Sequence, residues 1–208
     1  MELTSAEGNI KAETLAEITR IRKDALDQGV PWPEKGKPKT MRQYLEEKGI
    51  AEADYLAPVW SAEAERLAII RAAETHLTNI IGHLRPNEEK LGSLLLKLGA
   101  FREGIAWAKT SAAESIGQFE REKPDWVNNT KDKVTGHYEQ LIDPELSSFG
   151  MAGFVGPEQA EYQSTWTLVS HSTKDGQDQS ASGISGKHTF KVMLHPEWSK
   201  VNTSQIWV

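Results

Sequence analysis

The chain has 208 residues, 38% of them hydrophobic, and a formal net charge of −6. That length and apolar content suffice for one sizeable core, so a single domain with extensions is expected, and the acidic balance offers no basic face for nucleic acid or anionic lipid. With no cysteine in the chain, disulfides and thiolate metal sites are excluded, and His, Asp and Glu remain as the strong ligands.

No apolar run reaches the roughly 20 residues needed to cross a bilayer; Leu94-Leu95-Leu96 is broken by Lys97. Met1 to Ser5 lack the charged-then-apolar pattern of a secretory signal, which reads either as a cytosolic protein or as a fragment of something longer. Residues 9 to 28 have Leu15, Ile18, Ile21 and Leu26 near one helical face and Glu13, Glu17, Arg20 and Lys23 on the other, the pattern of an amphipathic helix. Gly29 stops it, and Pro31, Pro33 and Pro38 make the following stretch a loop or ordered insertion. Thr40 and Gln43 form a capping-box pair, and a short helix runs from there to Gly49. Residues 30–50 are thus an inserted loop and helix.

Ser61 is placed to cap a helix in which Leu67, Ile70, Leu77 and Ile81 recur at near-helical spacing. Gly82 and Pro86 set His83 in the turn after it. Leu91 to Leu98 read as a short helix, Gly104 to Ala108 as a short strand, and Pro124 opens a helical turn. From Phe149 the composition shifts: Phe149–Val155, Tyr162–Ser170 and His188–Leu194 are aromatic and β-branched, and residues 172–186 are a polar, mobile loop. Helices first and strands last indicate an α+β domain with a three-stranded or larger antiparallel sheet.

The stretch richest in chemistry is Gly136-His137-Tyr138 leading toward Phe149-Gly150. A glycine before a histidine marks an imidazole presented at a loop end; a surface histidine in a turn is the plainer alternative. Taken in order, Trp60-Ser61, Arg71-Ala72-Ala73-Glu74, His83-Leu84-Arg85-Pro86-Asn87, Glu114-Ser115-Ile116, Gly136-His137-Tyr138 and Phe149-Gly150 resemble motifs of the CAP superfamily, the cysteine-rich secretory, antigen 5 and pathogenesis-related proteins. The resemblance spans roughly residues 10 to 170.

It implies an α-β-α sandwich with a cleft of two histidines and two acidic residues. By motif the histidines are His83 and His137, implied ligands of a divalent metal such as zinc, and the first acid is Glu114, the implied catalytic carboxylate. Ser115 stands where asparagine is usual. The second acid is expected three residues after Trp126, where this chain has Asn129; Glu120 or Glu122 could substitute. Two imidazoles and one carboxylate can hold zinc with an open position, but an asparagine cannot act as the general base for its water.

Among CAP domains the cysteine-free sequence looks most like those of Gram-positive cell-surface proteins, including plasmid surface-exclusion proteins. That resemblance implies an exported, wall-associated domain cut from a longer protein, with a cell-surface protein or peptide as partner. Three functions follow as expectations: a surface interaction domain with a metal-binding cleft, a metal-dependent peptidase using the same cleft, and a lipid- or sterol-binding domain. His76, His171, His188 and His195 read as structural histidines, and Trp60, Trp107, Trp126 and Trp166 as core.

Overall fold

A computed structural model describes residues 2–5, 9–78, 81–85, 101–155, 164–172 and 187–189. Its centre is an antiparallel pair, β4 (Ser148–Val155) and β5 (Ser164–His171), in register from Ser148 opposite His171 to Val155 opposite Ser164. β3 (Phe101–Trp107) pairs antiparallel with the far side of β5. On the other side of β4 lie β1 (Glu2–Ser5), which carries β6 (Lys187–Thr189), and the two-residue β2 (Val59–Trp60). Because β2 runs parallel to β4, the sheet is mixed rather than wholly antiparallel.

Both faces of β4 and β5 are buried, and alternation assigns each side chain to a layer. Phe149, Met151, Trp166 and Leu168 enter the larger core; Ala152, Phe154 and Val169 enter the smaller. The smaller core is closed by α4 (Ala62–Thr78) through Ala64, Leu67, Ala68 and Ala72. The small residues bring this helix very close. A Cβ built on Gly150 would lie 2.0 Å from the Glu65 backbone nitrogen.

The opposite face is covered by α1 (Ile10–Asp27), α5 (Ala112–Glu120) and α7 (Gly136–Ile142). The result is the three-layer α-β-α sandwich. In α1, Ile18, Ile21 and Leu26 are buried as expected, and Asn9 caps the helix by accepting from the Ala12 amide. α1 also buries Arg22, which donates to the carbonyls of Tyr55, Leu141, Asp143 and Leu146 and lies over the Tyr55 and Phe149 rings. Burial lowers its pKa, yet these acceptors fasten α1 to the chain entering β4.

The insertion is ordered. Thr40 and Gln43 form their capping box at the start of α2 (Met41–Lys48), which ends at Gly49 in the left-handed conformation. Trp32 stacks on Trp126 at 5.6 Å, and Trp126 donates to the Pro31 carbonyl. The loop thereby holds α6 (Lys123–Val127), the turn opened by Pro124. α3 (Glu52–Tyr55), β1, β2, α5 and α7 are additions to the elements expected from sequence. The expected helix at Leu91–Leu98, the 173–186 part of the polar loop, and Phe190–Leu194 lie outside the described residues.

Candidate functional site

The histidines at 83 and 137 approach each other beside β3, which supplies Glu103 to the first of them. His83 lies in the turn after α4, and His137 in the first turn of α7 rather than in a loop before a strand. Their ring centroids are 6.5 Å apart. Each ring has its own carboxylate: His83 Nδ1 is 3.0 Å from Glu103 Oε2, and His137 Nδ1 is 2.6 Å from Glu122 Oε1. With each Nδ1 turned to a carboxylate, the Nε2 atoms are the ones left to face a ligand.

Glu103 reaches the site because β3 alternates. Its side chain falls on the α4 side and is 5% exposed, and its second oxygen takes the Nε–H of Arg71 at 2.6 Å. Arg71 also donates to Glu74 and to the Gly82 carbonyl, and Glu74 in turn holds Arg85. The Arg-Ala-Ala-Glu segment of α4 is therefore the foundation of the His83 turn. Glu103 holds the His83 pKa above its ordinary value, against the opposing effects of partial burial and Arg71.

Glu122 also divides its oxygens. Oε1 meets the His137 ring, and Oε2 accepts from the backbone amides of His137 and Tyr138 at 2.9 and 3.1 Å. It caps α7 from fifteen residues upstream, where Thr135 makes no side-chain cap bond. Phe119 of α5 stacks on the same imidazole at 4.8 Å with an interplanar angle of 14°.

Two residues expected in the cleft lie elsewhere. Glu114 is in the first turn of α5, exposed, its carboxylate accepting from Thr110 N and Oγ1 at 2.9 and 2.8 Å, which lowers its pKa. Ser111-Ala-Ala-Glu114 is a helix start, with Ser111 accepting from the Glu114 amide, and that local role fixes the carboxylate away from the histidines. Asn129 is an exposed residue at φ 48°, tolerated because asparagine enters the left-handed region readily, and it packs against Gly36. Glu103 was the acid missed; its signal is a carboxylate inside the otherwise largely apolar run Phe101–Trp107.

Among the described residues no three His, Asp or Glu side chains are grouped to hold a metal ion. The donor set that fits is two imidazoles backed by carboxylates. His83 and His137, whose ring centroids lie 6.5 Å apart, are the residues that would hold such an ion, and it would supply a Lewis acid between the two rings.

The fold and the paired dyads define an α-β-α domain with a His/Glu cleft. Residues 40–170 match the model of the CAP, cysteine-rich secretory protein family, and the chain belongs to that family. A search of curated proteins found no match. Among solved structures the chain is similar to an outer surface protein from Borrelia burgdorferi, with TM-score 0.46 and 10% identity over 81% of this chain and 98% of that one. It is also similar to an extracellular protein containing an SCP domain from Bacillus anthracis str. Ames, with TM-score 0.44 and 14% identity over 78% of this chain and 41% of that one.

Proposed function

We propose that this chain is a secreted, cell-surface interaction domain whose cleft binds a divalent metal such as zinc through His83 and His137 without turning over a substrate. The observation that carries the reading is the division of labour at the two carboxylates. Each gives one oxygen to a histidine Nδ1 and the other to a structural donor: Arg71 for Glu103, the α7 amides for Glu122. Such partners orient imidazoles toward a ligand, but leave neither carboxylate free as general base for an attacking water. The family description as secretory supports export. A wall-associated role with a protein or peptide partner, as in surface exclusion during conjugation, is the narrower form of the proposal.

A metal-dependent peptidase is the second reading, favoured by the open positions that two imidazoles would leave around a metal. Calorimetric titration of zinc into the intact chain, His83→Ala and His137→Ala, followed by a casein turnover assay on the same samples, separates the readings. Binding lost in both variants, with no turnover in the intact chain, is the expected result. Turnover lost with His137 would establish the peptidase instead, and an intact chain that binds no zinc would remove the metal from the proposal. The narrower role predicts that displaying the domain on recipient cells lowers their conjugation frequency.

A further inference from the structure

We infer that Arg71 is the positioning residue of the cleft: its guanidinium, 1% exposed, sets which nitrogen of His83 faces a ligand, acting through Glu103 and the turn that carries the histidine. The inference rests on the proposed ligand role of His83. Three contacts place Arg71 at the junction of three segments. Nε–H donates to Glu103 Oε1 on β3 at 2.6 Å, one terminal nitrogen to Glu74 on α4 at 2.8 Å, and the other to the Gly82 carbonyl at 2.8 Å. Gly82 immediately precedes His83, and Arg85, two residues beyond it, returns to Glu74 at 2.6 Å. The turn is held on both sides of the histidine.

The geometry also fixes the direction of control. With one Glu103 oxygen locked to Arg71, the other is presented to His83 Nδ1, which keeps the proton on Nδ1 and the Nε2 lone pair outward. His137 has no part in this circuit, because its carboxylate is held by backbone amides. Lysine cannot replace Arg71: one ammonium lacks the rigid fork that serves Glu103, Glu74 and a carbonyl together. In Arg71→Lys the charge remains, but Glu103 loses its fixed orientation.

The test is Arg71→Lys in the whole chain, checked for a native circular-dichroism spectrum and read by long-range ¹H–¹⁵N spectra of the imidazoles at pH 8 without metal. The intact chain is expected to show both histidines in the Nδ1–H form. In the variant His83 moves toward the Nε2–H form while His137 stays unchanged, and zinc affinity falls by about tenfold or more. A general loss of packing would disturb both rings. A folded variant with an unchanged His83 tautomer overturns the inference. Absence of zinc binding in the intact chain defeats only the metal reading, because the tautomer is measured without metal. If the variant does not fold, the intact chain decides: the Arg71 Nε–H should resist solvent exchange as firmly as that of buried Arg22, and rapid exchange overturns the inference.

Discussion

His76 and His83 stand seven residues apart at one end of α4, and their surroundings displace their pKa values in opposite directions. Desolvation lowers the pKa of His76, whose Nδ1 has no partner among the described residues, whereas the Glu103 carboxylate raises that of His83. A raised histidine pKa means the folded state holds its proton more tightly. The His83–Glu103 contribution is therefore fully present below the ordinary value of 6.5 and is lost as pH rises through the raised one. His76 behaves in reverse: its contribution is present above 6.5 and is lost as pH falls toward its lowered value. His76→Gln should flatten the acid-side fall in stability between pH 8 and pH 5, and His83→Gln should steepen it. Urea unfolding at the two pH values measures both. The His83 effect amounts to a few tenths of a kcal/mol at most, about the worth of an exposed pair.

At the scale of elements, α7 is a seven-residue helix whose N-terminus is completed by a side chain from the α5–α6 corner. Replacing Glu122 by alanine leaves two amides without their acceptor and should cost about 1–2 kcal/mol. Glu122→Gln is the more informative change. Its carbonyl oxygen can still accept from the amides, but its NH₂ then faces His137 Nδ1 and forces the proton onto Nε2. Unfolding stability should stay within about 1 kcal/mol of the parent, while zinc affinity falls about 10–100-fold; comparing denaturant curves with calorimetry tests the pair of outcomes. This arrangement also explains the limits of sequence reading. Thr40 and Gln43 announce α2 because cap and helix are adjacent, and α1 shows its buried face in a single amphipathic run. The cap of α7 lies fifteen residues away, and Glu103 meets Arg71 across thirty-two, so neither partnership has a local signature. Ser111 and Glu114 did carry one, for a helix start.

Across the whole molecule, the site depends on how tightly α4 lies on the sheet, because α4 supplies Arg71 and Glu74 while β3 supplies Glu103. The aromatic and β-branched composition from Phe149 to Val155 makes β4 legible, but the two-residue β2 exists only through its pairing with β4 and has no pattern of its own. Gly150 is a point of very close approach between α4 and the sheet. A methyl group there would sit 2.0 Å from the Glu65 nitrogen and 2.4 Å from the Ala64 carbonyl carbon, both backbone atoms with no side-chain rotation to relieve them. Gly150→Ala must push the start of α4 off the sheet, at a cost of about 3 kcal/mol, the upper end for overpacking, or roughly 6–12 °C in melting temperature for a chain of this size. Displacing α4 also moves Arg71 relative to Glu103, so zinc affinity should fall in the fraction that remains folded. A thermal melt together with a zinc titration well below the midpoint checks both consequences. A melting temperature within about 2 °C of the parent would mean that the layers have slack at Gly150, and that the rigidity of the His83 turn comes from the Arg71 and Arg85 bonds and not from the seating of α4.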